Sequence, residues 1–214
     1  MVAVDTLFGL VADLWPMVHR LSTLYSMKID LEKIEMTDPA SDKAAAMRTD
    51  FDNIASTVEL ALHQWTPKIP GSLVTTDIAA DDSRLQSILN NAEAYKQACF
   101  IFLNRSVFGL ARSSPKIQAA TKQALQACLR VVIFSGPMCA LLWPLFTASC
   151  EAIDDVDRNV AQMVFRHLES RQGMQNIVTA WEVAEEVWRN GDSGEPERGW
   201  RDIAADMGRE VVFG

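Results

Sequence analysis

With 214 residues, 49% of them apolar and 22% charged, the chain has the composition of a globular protein large enough to bury a sizeable core, which excludes wholesale disorder. The net charge is −8, and no run of Lys or Arg is present. A protein that holds nucleic acid by displacing counterions shows a basic face, so this balance argues against direct DNA binding.

The four cysteines, Cys99, Cys128, Cys139 and Cys150, form no Cys-x-x-Cys pair and match no zinc spacing. Each sits in an apolar, helix-like stretch and reads as a buried, reduced thiol, which fits a reducing compartment. The first residues lack a basic n-region and carry Asp5 and Asp13, so they do not read as a signal peptide. Without a secretion signal, the sequon at Asn104-Arg105-Ser106 reads as accidental.

A first helix is expected from Asp13 to about Met27, with Pro16 in its first turn and Leu14, Val18, Leu21 and Tyr25 as its stripe. A polar patch follows from about Lys33, broken by Asp38-Pro39, and Ser41 reads as an N-cap. From Asp42 to about Trp65 the apolar residues Met47, Phe51, Ile54, Val58, Ala61 or Leu62, and Trp65 recur at 3–4 spacing, which predicts an amphipathic helix. Pro67, Pro70 and Gly71 mark a loop from Thr66 to Thr76.

A long helix is then predicted from about Asp82 to Leu110, capped by Asp81 or Asp82, with Leu85, Ile88, Ala92, Tyr95, Cys99, Leu103 and Val107 in its stripe. Ser113-Ser114-Pro115 is a cap followed by a proline at the first helical position and starts a helix to about Phe134. Gly136-Pro137 ends it. The next runs from about Met138 to Ala152, and Pro144 marks either a kink or a helix start. Twenty uncharged residues from Val131 to Cys150 have the length of a bilayer span, but the Gly-Pro break and Pro144 favour two short buried helices.

Asp154-Asp155 caps a helix from Val156 to about Ser170, which Gly173 ends. Met174 to Trp188 forms another, then a Gly/Pro-rich loop covers Asn190 to Gly199, and a short helix from Trp200 to Met207 closes the chain. No strand alternation appears. The expectation is an all-α fold, an irregular array of about seven to eight antiparallel helices with helix-hairpin units but no fixed repeat period.

Chemistry-bearing patterns are sparse. Glu59 and His63 lie one helical turn apart, the spacing of an ordinary surface pair, and a metal site would need further ligands. Asp154, Asp155 and Asp157 lack the alternating ligands and sixth-position glycine of a calcium loop. No Gly-x-Ser-x-Gly and no Gly-rich phosphate loop is present. No cofactor is implied. The six tryptophans supply buried area, with some free to line an apolar pocket or a partner groove.

The most specific segment is LLWPLFTASCEA, Leu141 to Ala152, followed by Arg158, Gly173, Asn176 and Glu185-Glu186-Val187-Trp188. Val4 to Leu10, Tyr95-Lys96 with Asn104-Arg105, and Trp200-Arg201-Asp202 with Val211 to Gly214 add weaker matches. In this order they resemble the fungal-specific transcription factor domain, the regulatory domain of fungal zinc-cluster transcription factors. Ser149 stands where that family commonly has Gly, and Thr6 where Pro is frequent.

The resemblance implies one domain over residues 1–214, corresponding to the C-terminal part of that regulatory domain, without a zinc cluster. It further implies a nuclear or cytoplasmic protein that modulates transcription through other transcription-factor or co-regulator proteins and a small apolar metabolite, in a fungal metabolic pathway. No direct nucleic-acid contact and no membrane association are expected.

Trp143, Pro144, Cys150, Glu151, Arg158, Asn176 and Trp188 carry the structural motif. Trp143 and Phe146 are expected to anchor the core, Glu151 and Arg158 to pair across a turn, and Asn176 to bond backbone early in its helix. The ligand-binding candidates are Trp143, Phe146, Tyr95, Asn104 and His63. The runner-up reading is a helical pocket recruited as a metal-free cyclase or isomerase, or as a ligand-binding protein, in secondary metabolism. Catalysis is the less favoured reading, and no catalytic residue is singled out.

Overall fold

The computed structural model describes residues 10–38, 41–69, 80–134, 140–194 and 196–213. Eight α-helices account for most of them: α1 (Trp15–Thr37), α2 (Asp42–Gln64), α3 (Ala80–Phe102), α4 (Pro115–Ile133), α5 (Leu142–Glu151), α6 (Asp155–Gln172), α7 (Gln175–Asp192) and α8 (Trp200–Asp206). A 3-10 turn (Ala12–Leu14) precedes α1, and a π turn (Leu103–Val107) follows α3. No strand occurs among the described residues, so the all-α expectation is met.

The helix starts follow from local chemistry. Pro16 stands in the first turn of α1, and Pro115 opens α4 just after Ser114. The Ser41 hydroxyl accepts from the Lys43 N–H (3.2 Å), and an Asp154 carboxylate oxygen accepts from the Asp157 N–H (2.8 Å). Gly173 ends α6 at φ +60°, a conformation that L side chains rarely adopt.

Four boundaries differ from expectation. Helix α1 runs ten residues past Met27 because the polar patch is itself helical. Lys28–Glu32 (3.8 Å) and Asp30–Lys33 (3.5 Å) pair along it, and Leu31 is buried. It stops at Asp38, which precedes Pro39 in the sequence and has left the helical region (φ −148°, ψ 83°). Asp81 and Asp82 fall within the first turn of α3 rather than at its cap.

The straight helix expected to Leu110 gives way to the π turn, where the Phe108 N–H reaches back five residues to the Leu103 carbonyl (2.9 Å). Helix α7 extends to Asp192, shortening the expected loop at Asn190. On α2, Ile54 is 39% exposed, and Ala55, Val58 and Leu62 form the inner face instead.

Pro144 starts a helix rather than kinking one. It lies in the first turn of α5 and has no N–H to offer the Ala140 carbonyl four residues back. That carbonyl accepts from the Tyr95 hydroxyl instead (2.6 Å), tying α5 to α3. Helices α4 and α5 therefore share the uncharged stretch between them, and no helix among the described residues is long and apolar enough to cross a membrane. The Gly136-Pro137 break and Cys139 lie outside the described residues, as does most of Val4 to Leu10.

Two apolar clusters fill the interior. One gathers α1, α2 and the outer face of α3 around Leu14, Leu24, Val58, Leu62 and Tyr95. The other gathers α4 to α8 around Leu125, Leu145, Phe146, Phe165, Leu168 and Val183. Helix α3 is buried on most sides and serves both, with Phe100 packed against each.

Candidate functional site

The five residues singled out as ligand-binding do not converge. Phe146 is fully buried in the second cluster, against Trp200 (ring centroids 5.1 Å apart) and Phe213 (5.4 Å). Tyr95 is also buried, its ring tilted against that of half-buried Trp143 (centroids 5.4 Å apart) and its hydroxyl bonded to the Ala140 carbonyl. These three rings hold helices together. His63 and Asn104 do meet, in an open cleft of about 360 Å³ between α2, α3 and α4, which Glu59, Lys96, Gln97 and Lys116 also line.

Most of the cleft's polar groups serve local bonds. His63 packs on Phe100 (4.7 Å), and the Lys96 ammonium donates to the Trp65 carbonyl (2.8 Å). The Gln97 amide donates to Glu93 (2.7 Å). Asn104 donates to the Phe100 carbonyl (2.8 Å), where the helix ladder changes pitch, and its buried Oδ1 has no partner. Among the described residues, no group of three or more His, Cys, Asp and Glu side chains is placed to hold a metal ion.

Of the motif residues, Cys150, Glu151, Arg158 and Trp188 gather at the C-terminal end of α5, whereas Trp143 and Pro144 stand in its first turn and Asn176 in that of α7. Glu151 does not pair with Arg158, contrary to expectation. Its carboxylate accepts from Arg105 Nε (2.7 Å), because the π turn aims Arg105 across at the end of α5. Arg105 also donates to the Leu110 carbonyl (2.5 Å) and to Glu197. Arg158 instead forks onto Asp192 at the end of α7 (2.7 and 2.8 Å) and lies over the Trp188 ring (5.3 Å). Trp188 Nε1 donates to the Ser149 carbonyl (2.7 Å). Asn176, early in α7 as expected, donates to the Val212 carbonyl (3.1 Å) and pins the C-terminal segment.

Beside this end of α5 lies a second cavity, of about 240 Å³, between α1, the π turn, the end of α7 and α8. Cys150 and Glu151 form part of its wall, and Arg112 and Arg201 face it. Arg112 is only 7% exposed. It donates to the Ala152 carbonyl, its Nε has no partner, and among the described residues no carboxylate lies within ion-pair distance of it.

Burial dominates the electrostatics here. It lowers the Arg112 pKa, with nearby Glu151 opposing. It raises the Glu151 pKa above the ordinary 4.5, against the pull of Arg105 and Arg112. It also pushes the Cys150 thiol well up although Arg112 and Arg201 both act on it, so this sulfur is not an activated nucleophile.

Sequence reasoning did not single out Arg112, Arg201 or Glu197 as site residues. Arg201 and Arg105 lie within family-like segments. Arg112 carried one signal, a lone cation flanked by Leu110-Ala111 and a helix start.

The comparisons with known proteins bear on the whole chain. No curated protein and no solved structure matches it. Residues 1–214 match the fungal-specific transcription factor domain from end to end, so the chain belongs to that family.

Proposed function

We propose that this chain is a nuclear, transcription-regulatory protein that acts through other molecules, namely partner transcription factors or co-regulators and a small molecule held between its helices, in a fungal metabolic pathway. Membership of the family over all 214 residues carries the reading. The site geometry agrees with it. Phe146, Tyr95 and Trp143 join helices through ring contacts and the Tyr95–Ala140 hydrogen bond. The net charge of −8 disfavours gripping the phosphate backbone.

Deletion in the host followed by paired transcript and metabolite profiling tests the proposal. A defined set of transcripts should change before any metabolite precursor accumulates. Unchanged transcripts, or a protein that never enters nuclei, would end the regulatory reading.

A further inference from the structure

We propose that the cavity beside the C-terminal end of α5 binds a small carboxylate- or phosphate-bearing molecule, with the Arg112 and Arg201 guanidiniums as its anion-holding groups. The inference rests on the regulatory reading for what the ligand does, and on the cavity alone for what the ligand is.

The first support is the state of Arg112. Arg112 is only 7% exposed, its Nη2 donates to one carbonyl and its Nε has no partner among the described residues, so with Glu151 near but not bonded to it the charge is expensive to maintain. The fold makes room for it nonetheless. A Cβ on Gly191 would stand 2.5 Å from Arg112 Nη1, so with any larger residue at this place near the end of α7 the guanidinium would have to leave its present position. Gln118 braces the same segment, its amide donating to the carbonyls of Arg112 (2.7 Å) and Glu151 (2.9 Å).

The second support is the balance of charge. Five cationic side chains and three acidic ones line the cavity, in a chain whose net charge is −8. Two of the acids, Glu151 and Glu197, are taken by Arg105. Arg198 is taken by Asp206 outside the lining. Arg112 and Arg201 are left without a carboxylate among the described residues. Arg201 is oriented by rings instead, over Trp200 (4.5 Å) and Tyr25 (4.8 Å). Planar guanidinium forks suit carboxylate and phosphate oxygens.

The third support is size. At about 240 Å³ the cavity lies below the range of roughly 300–1,000 Å³ usual for drug-sized ligands, so it takes a short organic acid or a phosphate rather than a nucleotide. That chemistry differs from the small apolar metabolite that the family resemblance implies.

The test is calorimetry and thermal unfolding of the purified full chain with two probes, succinate and inorganic phosphate, against chloride at equal ionic strength. Saturable binding and a raised Tm with at least one probe, and not with chloride, is the expected result. The two probes separate a carboxylate site from a phosphate site. Arg112→Gln should abolish the binding. Because that variant removes a buried contact, Arg201→Gln, on an exposed residue, is the deciding one and should weaken binding by about tenfold or more with the fold intact. No response to either probe up to about 10 mM, or equal affinity in Arg201→Gln, overturns the proposal. Binding without any transcript change on deletion would leave the site standing and remove the regulatory reading.

Discussion

The cleft beside His63 and the cavity beside Arg112 draw on similar residue types: cations, carboxylates, an amide and aromatic rings. In the cleft, Lys96, Gln97 and the Asn104 amide are all bonded to groups of the chain, and the one buried atom left over, Asn104 Oδ1, is neutral. In the cavity the atom left over among the described residues, Arg112 Nε, belongs to a buried cation that no carboxylate bonds. An unmet neutral acceptor costs about 1–3 kcal/mol, and an unmet buried charge costs more. Similar composition therefore yields a solvated groove in one place and an incomplete ionic site in the other. What separates them is how far the surrounding helices exclude water.

That contrast can be broken by mutation. Glu151→Ala should have the largest effect, because it removes a buried carboxylate that accepts from Arg105 and lies near Arg112, leaving part-buried Arg105 with Glu197 alone. We expect a loss of about 3–5 kcal/mol by urea unfolding. A loss no larger than that of an exposed pair would place the cavity in the same class as the cleft.

Tyr95→Phe, in neither region, should come next. With Pro144 unable to donate, the Ala140 carbonyl loses its hydrogen bond, for a loss of about 1–3 kcal/mol by the same measurement.

Acid titration sharpens the contrast further. Burial raises the folded pKa of Glu151, so between 4.5 and that raised value the folded chain binds more protons than the unfolded one. Its contribution to stability is greatest below 4.5 and declines as pH rises through the folded pKa. Glu151→Gln should therefore show a shallower decline in stability over that window than the parent chain, followed by urea unfolding at several pH values. The smallest effects belong to the cleft. Glu59→Ala and His63→Ala should each change stability by less than about 0.5 kcal/mol.

Much of the fold was legible because its signals are local. Ser41 and Asp154 mark helix starts through side-chain bonds within a turn, Pro115 through its fixed φ and missing N–H, and Gly173 marks a helix end through its positive φ, and each end lies where that chemistry puts it. The extra turns of α1 were missed because Asp30, Glu32 and Lys33 look like loop residues until their i,i+3 and i,i+4 pairing is counted.

The site was far less legible. Glu59 and His63 were found because one helix carries both. Arg112 meets Gly191, and Arg105 meets Glu151 and Glu197, only after α4 to α8 have packed. The mistaken Glu151–Arg158 pairing has the same origin. Nearness in sequence suggested a partner, while the π turn and the end of α7 supplied nearer ones.

The most direct measurement of the central claim tethers the chain to an unrelated DNA-binding module upstream of a reporter in a fungal host, at matched protein levels. A chain that works through partners should change reporter output when tethered and leave it unchanged when expressed untethered. Equal output in both arms would contradict that account.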